Sequence, residues 1–63
     1  EDNRQFNITY LNTDGTEYIT YSIKKNEQLI IPITPGNTYW EYNGNPLDTA
    51  VNVVSDMIIQ AKN

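Results

Sequence analysis

The densest apolar run of the sequence, residues 29–33 (Leu-Ile-Ile-Pro-Ile), contains a proline, and this limits how the chain can fold around it. Proline has no backbone N–H, so it is excluded from the interior of a β-ladder. The run therefore predicts either an edge strand or a buried extended arm. Residues 34–37 (Thr-Pro-Gly-Asn) predict a turn, and residues 38–42, which hold the single tryptophan Trp40, predict a short aromatic strand.

Two alternating segments flank Asp14-Gly15, a dipeptide that favours positive φ and tight hairpins. Alternation of apolar and polar residues is the period of a half-buried strand. We therefore predict an antiparallel hairpin of residues 5–12 and 17–23. One face is expected to hold Phe6, Ile8, Tyr10, Ile19, Tyr21 and Ile23, and the opposite face Asn7, Thr9, Tyr18, Thr20 and Ser22.

The tail from residue 47 to residue 63 fits two patterns. Helix spacing relates Val51, Val54, Ile58 and Ala61. Strand alternation instead relates Met57, Ile59 and Ala61. The pattern alone leaves both open.

Composition excludes several classes of function. The 63 residues include no cysteine and no histidine, so the chain has no disulfide, no Cys/His zinc site and no histidine base for its two serines. A formal charge of −4 excludes the basic face that nucleic acids require. No apolar run reaches the ~18 residues of a membrane span. We predict no catalytic residue, no metal and no cofactor.

Several stretches together resemble the Listeria–Bacteroides repeat, the internalin B-repeat type of module found in many bacterial surface proteins. Its closing half is matched by residues 39–48 (Tyr-Trp-Glu-Tyr-Asn-Gly-Asn-Pro-Leu-Asp), by Val51 and by residues 55–62 (Ser-Asp-Met-Ile-Ile-Gln-Ala-Lys). Its opening half is matched more loosely by residues 6–10, Asp14-Gly15, residues 18–23, and Pro32, Pro35 and Gly36. The chain departs from the family pattern at Gly15, Tyr39 and Asn63, where the family has paired glycines, glycine and tryptophan.

The resemblance implies a mainly β fold, α+β at most: a small β-grasp-like antiparallel or mixed sheet of about four strands. It also implies that residues 57–62 form a strand, with at most a short helical turn within residues 47–54. Residues 1–4 would be a terminal linker and residues 5–63 a single module. The expected neighbours of Trp40 in the core are Leu29, Ile31, Ile33 and Ile59.

The function implied is that of a non-catalytic module of an extracellular or cell-wall bacterial protein, a spacer or adhesion unit. Its partners would be neighbouring modules, a host or bacterial surface protein, or a glycan, with no nucleic acid and no membrane insertion, and the domain would be monomeric. The predicted contact residues are Tyr18, Thr20, Lys24 and Tyr42.

Two alternatives remain open at this point. A carbohydrate-binding module would use Tyr18, Tyr42 and an exposed Trp40 as stacking faces. A structural domain that oligomerises through its sheet edge would show a concentration-dependent mass.

Overall fold

The computed structural model describes residues 4–48 and 51–63, and these fold into one sheet of five strands with no helix among them. The strands are β1 (Gln5–Leu11), β2 (Glu17–Lys24), β3 (Tyr39–Tyr42), β4 (Asn45–Pro46) and β5 (Met57–Lys62). Their order across the sheet is β2-β1-β5-β3-β4. The expectation of a small, mainly β, β-grasp-like sheet is confirmed. The additional strand, β4, has two residues.

The two longest strands form the predicted hairpin. β1 and β2 are antiparallel, from Gln5 opposite Lys24 to Leu11 opposite Glu17. Asp14 closes the turn by accepting hydrogen bonds from the backbone N (3.0 Å) and the Oγ1 (2.7 Å) of Thr16. Gly15 has φ +91°, a conformation that a side chain would strain. The hairpin was predictable because both its alternation and its turn chemistry are local.

A bulge in β2 changes the face on which one aromatic residue lies. The register shifts after Tyr10, so that Ile19 and Glu17 oppose successive residues of β1 and Tyr18 is the extra residue. The Tyr18 ring lies 5.8 Å from the buried Trp40 ring. The prediction that Tyr18 shares the polar face with Thr20 is therefore wrong, because the bulge turns Tyr18 towards the core side.

An extended arm, residues 26–33, covers the core side of the sheet. Its first half pairs with residues 51–53, through Asn26 N to Val53 O (2.7 Å), Val53 N to Glu27 O (2.9 Å) and Leu29 N to Val51 O (3.0 Å). Of the two alternatives for the proline-containing run, the extended arm is the one observed, since residues 29–33 join none of the five strands. Burial was predicted for this arm, but only Leu29 is buried, whereas Ile30 and Ile33 are exposed.

The second half of the arm is held by aromatic side chains. The hydroxyl of Tyr10 donates to the carbonyl of Ile30 at 2.6 Å. The indole Nε1 of Trp40 donates to the carbonyl of Pro32 at 3.0 Å. The Tyr18 hydroxyl donates to the next carbonyl along the arm, that of Ile33, at 3.0 Å. These bonds satisfy carbonyls that would otherwise be partly desolvated without a strand partner.

The core lies between the sheet and the arm. Its buried members are Ile8, Tyr10, Ile23, Leu29, Trp40, Val53, Met57, Ile59 and Ala61. Trp40 is in the core as expected, with Leu29 and Ile59 buried and Ile31 packed against the cluster. Ile33 was expected there too, but it is 87% exposed. The arm has reached the margin of the core by Pro32, so Ile33 contributes its carbonyl and not its side chain.

Of the two patterns in the tail, helix and strand, the structure shows the strand. Residues 57–62 form β5, with Met57, Ile59 and Ala61 buried, as the alternating pattern indicated. Val53 is fully buried and Val54 is exposed, which fits the extended pairing with the arm. The expected helical turn within residues 47–54 falls partly on residues 49–50, outside the described residues.

Removing the Tyr10 hydroxyl tests the arm contact. In Tyr10→Phe the Ile30 carbonyl loses its donor, and we expect the free energy of unfolding in urea to fall by about 1–2 kcal/mol. Tyr39→Phe is the matched control, because it removes a hydroxyl from a ring that is 44% exposed. An equal loss in both variants would contradict a specific contribution from Tyr10.

Alkaline pH tests the same residue independently. Burial, reinforced by the nearby Tyr21, raises the pKa of Tyr10 from its ordinary 10 to about 12. Folding therefore favours the neutral phenol, and this contribution is complete below pH 10 and disappears as the pH rises through 12. In urea titrations from pH 9 to pH 12, the stability difference between the wild type and Tyr10→Phe should shrink. A constant difference across that range would contradict the assignment.

Candidate functional site

Three of the four predicted contact residues lie on β2, and the fourth lies on β3. Tyr18 is 41% exposed and holds the arm through its hydroxyl. Thr20 is on the open face of the sheet, where its Oγ1 lies 3.5 Å from the Oγ1 of Thr9 on β1. Lys24 is the exposed last residue of β2. Tyr42 is half-buried at the end of β3, nearer the opposite edge of the sheet. These residues do not form one site: Tyr18, Thr20 and Lys24 lie on β2, but Tyr18 is turned to the core side and Tyr42 lies on β3.

The aromatic residues form a packed row on the core side. Tyr10 is at its centre, with its ring 4.8 Å from that of Trp40 and 6.0 Å from that of Tyr21. Trp40 is only 6% exposed, and its indole N–H is used by the arm. A stacking platform for a sugar ring needs an open aromatic face. Trp40 therefore offers no such face, and the carbohydrate-binding alternative loses the residue on which it depended.

Two shallow clefts, each of about 310 Å³, border the β3–β4 end of the sheet. One is lined by Tyr42, Asn43, Asn45, Pro46, Leu47, Asp48, Val51 and Met57. The other is lined by Ile31, Thr34, Thr38, Tyr39, Trp40, Pro46 and Leu47. Of these residues, Asp48 has the one carboxylate, and Tyr39 and Tyr42 have phenol groups.

The face of the sheet opposite the core is open and mostly polar. It includes Asn7, Thr9, Thr20, Ser22 and Gln60 from adjacent strands. Ile58 is an exposed apolar residue on this face. The polar groups are partly engaged with each other, as Ser22 Oγ with Gln5 Oε1 at 2.9 Å shows.

The Asp14-Gly15 turn between β1 and β2 is internally bonded. Besides its bonds to Asp14, Thr16 accepts a hydrogen bond from Asn12 Nδ2 at 3.0 Å. The bonds from Thr16 keep the pKa of Asp14 below its ordinary value. Among residues 4–48 and 51–63, no three acidic, histidine or cysteine side chains come together as a metal would require. The same residues include no helix that could cross a membrane.

The two edges of the sheet differ strongly, and sequence reasoning did not distinguish them. β4 is a two-residue edge that ends in Pro46, whereas β2 is an eight-residue edge without proline or glycine. Which strand lies at an edge depends on the order of non-adjacent segments, here on β5 entering between β1 and β3. No local feature of the sequence indicates which strand lies at an edge.

Comparison of the chain with protein-family models, with curated proteins and with solved structures gives no significant match. The resemblance to the Listeria–Bacteroides repeat therefore stays a prediction from the sequence motifs.

Fluorescence of Trp40 tests the geometry of the aromatic row. We expect a blue-shifted emission that acrylamide quenches poorly, because the indole is buried and hydrogen-bonded. Titration with a panel of cell-wall and host glycans should leave both the spectrum and the quenching unchanged. A red-shifted, easily quenched emission that becomes protected on adding a glycan would contradict this placement and favour the carbohydrate-binding alternative.

Proposed function

We propose that this chain is a non-catalytic module of a bacterial cell-surface or secreted protein, and that it acts as an in-line spacer between neighbouring parts of a longer chain. The observation that carries the proposal is the parallel pairing of β1 with β5 at the centre of the sheet. Two parallel strands begin at the same end of a sheet and finish at the other end.

The register gives the distance that the chain travels across the module. Ile8 lies opposite Met57, so Gln5 lies three positions before this pair and Lys62 five positions after it. At roughly 3.3 Å per residue, the eight positions correspond to about 26 Å along the strands. A preceding and a following module attached near Gln5 and Lys62 would lie on opposite sides of the domain, which is the arrangement a spacer needs.

The same pairing makes the domain suited to carrying tension. A force applied at Gln5 and Lys62 pulls β1 and β5 past each other along their length, so the bonds of their ladder are strained together and not one at a time. β2 and β3 flank this pair on either side. Asp56, the residue before β5, adds one more bond between the two strands, because its carboxylate accepts a hydrogen bond from Asn7 N of β1 at 2.9 Å.

The surface chemistry supports a structural role over an enzymatic one. The core side is closed by the arm, and the open face is flat and polar. The acidic charge of the chain favours a soluble, solvated surface. Contact with a surface protein through Thr20 and Lys24 is compatible with the spacer role, because both side chains are exposed on β2.

Pulling single molecules from two pairs of positions tests the spacer proposal. Since the chain has no cysteine, Gln5→Cys with Lys62→Cys provides unique handles that load β1 against β5 in shear. Tyr39→Cys with Lys62→Cys is the control, because these residues are antiparallel partners and pulling on them opens the β3–β5 ladder pair by pair. At one pulling speed, we expect the first geometry to need at least about twice the force, because forced unfolding follows the barrier along the pulled direction.

Equal, low unfolding forces in the two geometries would contradict the proposal of a tension-resistant spacer. Urea unfolding of both double variants, carried out without handles, checks that each retains the stability of the parent chain.

A further inference from the structure

The outer edge of β2 is the most exposed strand edge of the described sheet. β2 has eight residues, and no described residue pairs with its outer side. Edge strands present unpaired N–H and C=O groups that another strand can use. The opposite edge, β4, has two residues, and Pro46 has no N–H to offer. Any strand added to this sheet would therefore add to β2.

The ladder determines which backbone groups of β2 face outwards. Lys25 N donates to Arg4 O at 3.0 Å, which makes these residues a hydrogen-bonded pair. In an antiparallel ladder such pairs recur at every second residue. The hydrogen-bonded pairs of the hairpin are therefore Phe6 with Ile23, Ile8 with Tyr21, and Tyr10 with Ile19.

The intervening residues of β2, Thr20 and Ser22, consequently direct their N–H and C=O away from β1. The bond from Asn7 N to Asp56 agrees with this alternation, because Asn7 lies opposite Ser22 and its N–H points away from β2. The side chains of Thr20 and Ser22 are exposed on the open face.

We propose that this edge pairs antiparallel with the same edge of a second copy of the chain, with Thr20 of each copy opposite Ser22 of the other. Both residues would exchange their outward N–H and C=O groups across the junction. The two five-stranded sheets would then form one continuous sheet about a two-fold axis. This goes beyond the spacer role and does not depend on it.

Charge complementarity selects this register. Because Tyr18 is the extra residue of the bulge, Glu17 lies opposite Leu11, in the position on the open face that follows Thr20. In the proposed register, Glu17 therefore stands opposite Lys24 of the second copy, and the symmetry produces this pair twice. Both side chains are exposed in the single chain.

The neighbouring registers lack this match. With Thr20 opposite Thr20, Glu17 faces Ser22 of the second copy. With Ser22 opposite Ser22, Lys24 faces Thr20. Only the Thr20–Ser22 register pairs opposite charges at both ends of the strand, and opposite charges facing each other across strands are stabilising.

The core side of the junction is also complementary. In the same register, Ile19 lies opposite Ile23 of the second copy. Tyr21 of one copy lies opposite Tyr21 of the other at the two-fold axis. Ile19 and Tyr21 are only partly buried in the single chain. Pairing would remove more of their apolar surface from water, which favours association.

Sedimentation equilibrium of the purified chain, from about 10 μM to about 1 mM at low salt, tests the proposal. We expect a mass that rises from monomer to dimer and stops there, because pairing uses the long edge of each copy. A mass that stays monomeric up to the highest concentration overturns the proposal, as does growth beyond the dimer.

Thr20→Pro tests whether the edge itself is used. It removes an N–H that faces away from β1, so the hairpin ladder stays intact. We expect the dimer to be lost while the Trp40 emission and the urea midpoint change little. A folded Thr20→Pro variant that still dimerises with parental affinity overturns the proposal.

Charge exchange tests the register and does not depend on tolerance of proline. Glu17→Lys and Lys24→Glu should each weaken the dimer by about tenfold, because each replaces two attractive pairs by two repulsive ones. An equimolar mixture of the two variants should dimerise as the parent does, since both cross-strand pairs are then opposite in charge. Glu27→Lys is the control for net charge, with the same charge change at an exposed residue outside β2. If Glu17→Lys behaves as this control, or if the mixture shows no recovery, the register is wrong.

Discussion

Side-chain donors that reach the backbone carbonyls of an extended arm hold this fold together. A sheet with one apolar face needs a cover. In the described residues, an irregular extended arm covers that face. Its backbone carbonyls accept side-chain hydrogen bonds: Ile30 from Tyr10, Pro32 from Trp40, and Ile33 from Tyr18. The aromatic rings therefore contribute both apolar surface and hydrogen-bond donors. Because all three donors lie on the sheet, these bonds couple the arm to the sheet.

This arrangement determines which surfaces remain for function. In the described part of the chain the arm covers the core side, which leaves the open polar face, the two shallow clefts and the strand edges exposed. The parallel β1–β5 pair carries the chain from one end of the sheet to the other. The edge of β2 is left unpaired within the described residues. A spacer that transmits tension along one axis and pairs sideways through β2 would use each of these features.

Much of the fold can be predicted from local sequence signals. The features that cannot be predicted depend on contacts between residues far apart in the sequence. The hairpin was predictable because alternation and the Asp14-Gly15 turn are encoded within a few residues. The arm was predictable as one of two alternatives, because Pro32 excludes a central strand. The bulge at Tyr18 was not predictable from the sequence, because it arises where Tyr18 contacts Trp40 and the arm. Of the predicted contact residues, Tyr18, Thr20 and Lys24 lie on β2, but the edge position of this strand depends on strand order.

Native-state hydrogen exchange of the arm amides tests the central claim most directly. The N–H groups of Asn26, Leu29 and Val53 bond between the arm and residues 51–53. If the arm is an integral part of the fold, they will exchange only through global unfolding, with the same free energy and denaturant dependence as the amide of Ile59 in the central strand. Fast exchange of these amides with little denaturant dependence, while Ile59 stays protected, would show that the arm opens by itself and would contradict this account.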